Sequence, residues 1–329
     1  MDSNKSCFID FSRDQTGLTV IYSIVFTLGF PANLLSMWGL YQLLRTSNFL
    51  NTFILNLLVS DCLQLLTLPM WIIYLQNNHK WTYGRTACDF VGFLFYINLY
   101  ASIVFLSLVA LDRYTAIVYP LRFSKVRTAR LALGISLGVW LITFLLILTG
   151  LYPSVYDDAQ ELCLEYYPVK KKYAIFKIGT IVFGFVLPIF ILGFTSVKIR
   201  SALRSSPSVT QGERRRIMGI LCTITLIFVV VFGPYHLVGT YKFFSYFFTA
   251  DKCLLEQKLF LVYRFCYGLT SLNNVLDPLF YIFICDDIRR QLWRSISCLM
   301  QRRKSLDSGV HLREIIEHSP EKKENKIVL

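Results

Sequence analysis

Three places in this chain set ionisable side chains inside long apolar runs. Asp61 lies deep in the second such run, Asp112-Arg113 closes the third, and Asp277 stands near the end of the last. A charge in hydrocarbon costs roughly 2.5–3.5 kcal/mol on insertion scales, so each of these groups needs a partner or a task. The chemistry open to them is that of ion pairs, protons and small cations. Two carboxyls that face each other in a poorly solvated interior cannot both ionise cheaply. An adjacent Asp-Arg pair at the end of a helix is either a solvated boundary pair or a contact that can be held and released.

The elements that carry these groups are seven apolar segments: Leu18 to Leu44, Asn51 to Leu75, Ala87 to Val118, Leu131 to Tyr152, Tyr173 to Leu203, Ile217 to Phe248 and Leu259 to Ile284. Each is close to or longer than the ~20 residues a helix needs to cross a bilayer. Barrel strands would be about half as long and would alternate in polarity, which these segments do not. The expected fold class is therefore an all-α membrane protein, a seven-transmembrane helix bundle with a short amphipathic eighth helix. The expected organisation is an extracellular N-terminus over 1–17, the bundle over 18–284, the membrane-surface helix over 285–300 and a disordered cytoplasmic tail over 301–329. No apolar core precedes the first span, which is expected to act as its own targeting signal.

Composition supports this reading. The 329 residues are 54% hydrophobic and only 17% charged, against about 25% charged in soluble domains. The 27 Phe and 19 Tyr exclude a disordered polymer, and nine Cys are too few for a disulfide scaffold of this length. The net charge of +13 would suit nucleic acid, but its location argues otherwise. With the N-terminus outside, 21 Lys and Arg fall on the inner side and 12 on the outer, as the positive-inside rule requires for a plasma-membrane protein of that orientation. They form a rim facing inner-leaflet lipids, and no nucleic-acid partner is implied. Asn4-Lys5-Ser6 is a glycosylation sequon on the outer side. Cys298 ends the amphipathic segment and reads as a palmitoylation site, with a free cytosolic thiol as the alternative.

Motifs on successive spans resemble one family, the class A, rhodopsin-like G-protein-coupled receptors. They are Gly29-x-x-x-Asn33, Asn56-Leu57-Leu58-Val59-Ser60-Asp61, Leu111-Asp112-Arg113-Tyr114, Trp140, Pro188, Phe232-Gly233-Pro234 and Asn273-Asn274-Val275-Leu276-Asp277-Pro278-Leu279-Phe280-Tyr281. Phe232 in place of the usual Trp, Asp277 in place of the commoner Asn, and Leu68-Pro69 are similar to the purinergic, lysophospholipid and proton-sensing branches. The stretches Pro69 to Thr82 and Phe232 to Val238 resemble the proton-sensing branch, above all its G-two-accumulation and T-cell-death-associated members.

The resemblance implies a receptor, not an enzyme, that activates heterotrimeric G proteins and engages arrestin and receptor kinases. It implies a G-protein switch at Asp112, Arg113, Tyr114 and Tyr281, with the resting lock resting on Asp112 alone because Arg214 stands where the sixth helix often carries an acid. It implies a transmission set of Ile103, Pro188, Phe228 and Phe232, for which ordinary core packing is the alternative. Asp61, Asn98, Ser102, Asn273 and Asp277 would surround a sodium ion acting as allosteric modulator, or a water cluster. The implied disulfides are Cys88–Cys163 and Cys7–Cys253. The expected signal is extracellular protons, an anionic lipid such as a lysophospholipid or oxidised fatty acid, or both. A purinergic-type nucleotide receptor is the alternative, and a transporter or channel the rival from another class. Candidate ligand contacts are Arg85, Tyr96, Lys177, Tyr235, His236, Lys242 and Arg264, with unpaired snorkelling cations as the competing reading. Histidine support for proton sensing is confined to His79 and His236.

Overall fold

The computed structural model describes residues 7–43, 49–206, 209–284 and 297. Asn4, Cys298, the eighth-helix segment and the tail lie outside the described residues, as does the side chain of Tyr281.

Seven rods make the bundle. They are α1 (Ser12–Leu43); α2 (Phe49–Leu65) continued by α3 (Leu68–Gln76); α4 (Gly84–Val118); α6 (Ala129–Leu151); α7 (Lys171–Ile181) with α8 (Leu187–Ser205); α9 (Gln211–Ile227) with α10 (Gly233–Ser245); and α11 (Lys252–Leu269) with α12 (Asn273–Ile284). A single turn, α5 (Pro120–Phe123), caps the inner end of α4. Each break has a cause in the sequence. Pro69 lies in the first turn of α3, where its missing N–H costs nothing, and the Thr67 hydroxyl donates to the Gln64 carbonyl across the kink at 2.7 Å. Pro188 and Pro234 open α8 and α10, and each is preceded by a π-helical turn, Val182–Val186 and Phe228–Phe232.

Six of the seven rods are long and apolar enough to cross a membrane by composition. The seventh carries Lys252, Glu256, Lys258 and Arg264 in its outer half, and a 3₁₀ turn at Thr270–Leu272 divides it from α12. The limits also shift. The first helix begins at Ser12, six residues ahead of the apolar run, so Asp14 sits in its first turn. The third rod is the axis: 78% of its apolar window is enclosed, against 22% for α6. The exposed Leu137, Leu141, Ile142 and Leu145 of α6 would be misplaced in water and suit lipid.

At the outer end a two-stranded hairpin, β1 (Tyr156–Asp157) and β2 (Leu162–Cys163), lies over the bundle. Disulfides Cys88–Cys163 and Cys7–Cys253 tie it to α4 and the N-terminal segment to α11. Hydrogen bonds between rods fix the interior: Asn33 donates to the Asn274 carbonyl at 2.7 Å, and the Trp140 indole to Asn56 at 2.7 Å.

Candidate functional site

Four charged groups from four separate elements meet under the outer surface. They are Asp14 from the first turn of α1, His79 from the loop after α3, Glu165 two residues past the bridged Cys163, and Arg264 from α11. Asn78 and His79 both have positive φ, 53° and 58°, and the His79 amide donates to the Tyr74 carbonyl at 3.0 Å. This tight left-handed turn folds the imidazole back under the loop, a conformation for which Asn and His are better suited than most residues. The ring is fully buried and stacks on Phe11 at 4.5 Å. Its Nε2 lies 3.1 Å from Asp14 Oδ1 and its Nδ1 3.1 Å from Glu165 Oε2. Arg264 closes the ring of charges, donating from Nε to Asp14 Oδ2 at 2.8 Å and pairing with Glu165 Oε1 at 2.5 Å. Tyr167 donates to Glu165 Oε2 at 3.2 Å.

Burial alone would depress the proton affinity of His79, but Glu165 and Asp14 outweigh it and hold its pKa above the ordinary 6.5. Glu165 is shifted the other way: burial opposes its ionisation, yet Arg264 and then His79 keep its pKa below the usual value. A protonated His79 balances the cluster at two cations and two anions, whereas a neutral one leaves a buried excess negative charge. Asp14 and Glu165 were not among the residues singled out from the sequence.

Beneath the cluster is an aromatic cavity lined by Tyr22, Trp71, Tyr96, Tyr173, Tyr263 and Tyr267 together with Glu165, Lys242 and Arg264. Of the four outer cations named as ligand contacts, three already have carboxylate partners. Arg264 is held as described, Lys242 pairs with Glu256 at 2.7 Å, and Arg85 pairs with Asp158 on the exposed surface, outside the cavity lining. Arg264, Lys242 and Arg85 thus each have a carboxylate partner, and Arg264 and Lys242 also line the cavity. Lys177 differs: its ammonium is buried and donates to the hydroxyls of Tyr96 and Tyr235, each at 2.7 Å. His236 is buried beside it, stacked on Phe185 at 5.2 Å.

At mid-membrane Asn98 donates to Asp61 Oδ1 and Ser60 at 3.1 Å and to Ser102 at 3.5 Å, and Asn273 donates to Asp277 at 2.7 Å. Asp61 and Asp277 are fully buried and within electrostatic reach of each other. Asp61 Oδ2, Asn273 Oδ1 and Asp277 Oδ1 find no hydrogen-bond partner among the described residues. Ile103, Pro188, Phe228 and Phe232, for which the resemblance implies a transmission role, are all buried; Phe228 contacts Phe232 at 5.7 Å and stacks on Phe185 at 5.7 Å.

At the opposite end Asp112 is buried and bonded to two guanidinium groups. Arg113 reaches its Oδ2 at 2.5 Å, and Arg127, from the loop before α6, reaches its Oδ1 at 2.5 Å. Tyr114 packs on Tyr119 and Phe194.

The model of the 7 transmembrane receptor (rhodopsin family) matches residues 32–281, which include the mid-membrane and inner-end groups above and leave Asp14 and Tyr22 of the outer site before its start. The chain belongs to this family. The receptor is similar to G-protein coupled receptor 68 of Mus musculus, 31% identical with 89% of this chain and 80% of that protein covered. It is also 33% identical to probable G-protein coupled receptor 132 of Homo sapiens, with 89% and 77% covered, and 31% identical to human G-protein coupled receptor 65, with 88% and 89% covered. It is a multi-pass membrane receptor that signals through G proteins, and not an enzyme.

Arg113 pairs with Asp112, the contact the resemblance implies for the resting lock, and Arg127 shares the same carboxylate. Arg214 instead donates to the Ser206 carbonyl at 2.6 Å. Asp112→Asn frees both arginines at once, so agonist-independent nucleotide exchange is expected to rise severalfold. Basal exchange equal to wild type, measured at matched surface expression, would refute a restraining role for Asp112.

Proposed function

We propose that this receptor is switched by extracellular protons through the cluster of Asp14, His79, Glu165 and Arg264. The observation that carries the reading is the buried imidazole clasped between two carboxylates. Because the folded pKa of His79 is raised, its contribution is fully present below about 6.5 and is lost as pH rises through the higher folded value. Mild acid therefore tightens the cluster, and alkaline medium loosens it. Tightening draws α1, the hairpin loop and α11 together, and α11 continues through the 3₁₀ turn into α12, which carries Asp277 and Pro278. The seventh rod thus carries Arg264 of the outer cluster and Asn273 and Asp277 of the mid-membrane pocket, which is the two-state connection a switch requires.

An extracellular N-terminus is supported by the side on which both disulfides lie, opposite Arg113, and by the excess of basic residues at the other end. The unpartnered oxygens of Asp61, Asn273 and Asp277 are the hard donors a sodium ion prefers, and they are the residues that would hold it. Arrestin and receptor kinases complete the expected cytoplasmic partners.

The test is a second-messenger pH series on cells expressing the receptor, at constant sodium. G-protein activation is expected to rise steadily from mildly alkaline to mildly acidic medium. A flat or falling profile would overturn proton gating.

A further inference from the structure

The inner loop between α4 and α6 is short of anions. Arg122, Lys125 and Arg127 stand in one stretch of six residues, and the one carboxylate that any of them meets among the described residues is Asp112. That carboxylate is buried and already shared. Arg113 sets both Nε and Nη2 on its Oδ2, and Arg127 sets both on its Oδ1. One negative charge thus serves two guanidinium groups. Arg122 lies over the Phe123 ring at 5.9 Å and Arg127 over that of Phe49 at 5.8 Å, contacts that hold a cation without neutralising it.

Ser124 stands in the middle of this deficit. It is exposed, it caps the end of α5, and its hydroxyl donates to the Leu121 carbonyl at 3.2 Å. The chain stays helical there: φ and ψ of Ser124 are −57° and −40°, and the amides of Val126 and Arg127 both donate to the Phe123 carbonyl, at 3.1 and 3.0 Å. Residues three apart on such a turn have Cβ atoms about 5–6 Å from each other, so Ser124 and Arg127 are neighbours on one side of it. Arg122 before the serine and Lys125 and Arg127 after it frame an accessible hydroxyl with cations. A serine kinase with an acidic substrate groove selects such a frame by charge complementarity. Thr128 of the same loop is less suited. Its hydroxyl accepts from the Leu131 amide at 3.3 Å as the cap of α6, and the residues after it are already wound into that helix.

We infer that Ser124 is a phosphorylation site whose phosphate draws Arg127 away from Asp112. The inference rests on the reading of Asp112–Arg113 as the resting lock and is independent of proton gating. In the transfer, Ser124 Oγ attacks the γ-phosphorus of ATP held by the kinase. The new O–P bond forms as the bond to the β,γ-bridging oxygen breaks, ADP leaves with that electron pair, and the hydroxyl proton passes to a base of the kinase. The product carries about −1.5 to −2 charge and offers Arg127 an undivided partner for its planar fork. Asp112 Oδ1 is then open to Arg113, which exchanges two contacts on one oxygen for a pairing with both. Phosphorylation therefore tightens the hold on Arg113 and lowers G-protein activation.

The experiment uses purified full-length receptor in nanodiscs at one fixed neutral pH. It is treated with the catalytic subunit of a basophilic serine kinase and labelled ATP, then given heterotrimeric G protein. Peptide mapping is expected to find the label on Ser124, and Ser124→Ala to lose it. Labelling should lower agonist-independent nucleotide exchange at least threefold in the wild type and leave exchange by Ser124→Ala where it was. Unlabelled Arg127→Gln should show the same low exchange, with no further fall at matched phosphate occupancy, because the competitor for Asp112 is already gone. No label on Ser124, label on Thr128 in its place, or unchanged exchange once Ser124 is labelled would overturn the proposal. So would an equal fall in Ser124→Ala, which would assign the effect to serines of the tail, or a full fall on labelling Arg127→Gln. Should Arg127→Gln fail to fold, wild type against Ser124→Ala, each with and without label, decides the matter.

Discussion

His79→Gln should abolish the acid-driven part of the receptor's signal and leave it at the level the wild type shows in alkaline medium. Glutamine keeps polar reach between Asp14 and Glu165 but cannot carry the charge that balances them. Each charge-assisted hydrogen bond is worth about 1.5–3 kcal/mol, and His79 makes such contacts to both carboxylates. Losing them moves a two-state equilibrium by more than roughly tenfold. The same change should do little to folding, because Arg264 still pairs with Asp14 and Glu165. The contrast with Arg264→Leu is instructive, since that variant leaves two buried carboxylates sharing one titratable partner, an arrangement that typically costs 3–5 kcal/mol. It should fail at the level of surface expression. A His79→Gln receptor with an unaltered pH curve would show that the proton acts elsewhere.

The bundle was legible because its signals are local: runs long enough to span, prolines where rods bend, and motifs ordered one to a span. The outer half of the seventh rod is less apolar because it carries Lys252, Glu256, Lys258 and Arg264, of which Arg264 joins the charge cluster and Glu256 pairs with Lys242. That cluster escaped sequence reading for a physical reason. Asp14, His79, Glu165 and Arg264 are spread over 250 residues, and three of them sit in segments where charged side chains are ordinarily solvated. The available signal was Arg264: a guanidinium in a spanning segment needs a carboxylate, and none stands within a helical turn of it. Asking where its partner lay would have pointed to the acids at the outer ends of the other rods. The same question applies to the other outer cations, and Glu256 answers it for Lys242. Arg127 was hidden because a loop residue fifteen positions from Asp112 carries no periodicity to betray the contact.

Arg113→Ala should reduce G-protein activation to the level of membranes without receptor while surface expression stays close to wild type. The argument depends on how little the fold asks of this side chain. It is 30% exposed, and its ion-pair partner among the described residues is Asp112. A partly exposed pair of that kind contributes about 0–1 kcal/mol to stability. Removing Arg113 does not strand the buried carboxylate either, because Arg127 still holds its other oxygen. The cost is therefore expected to fall on the signalling state, for which the family resemblance implies that the freed guanidinium meets the G protein. Asp112→Asn and Arg113→Ala then have opposite signs although they break the same contact: the first releases the arginine and raises basal exchange, and the second deletes what is released. If the pair were only a structural tie, both variants would lose expression together and neither would change exchange per receptor. Measuring nucleotide exchange and surface density on the same cells separates the two accounts, and normal agonist-driven exchange by Arg113→Ala would remove the switch from this residue.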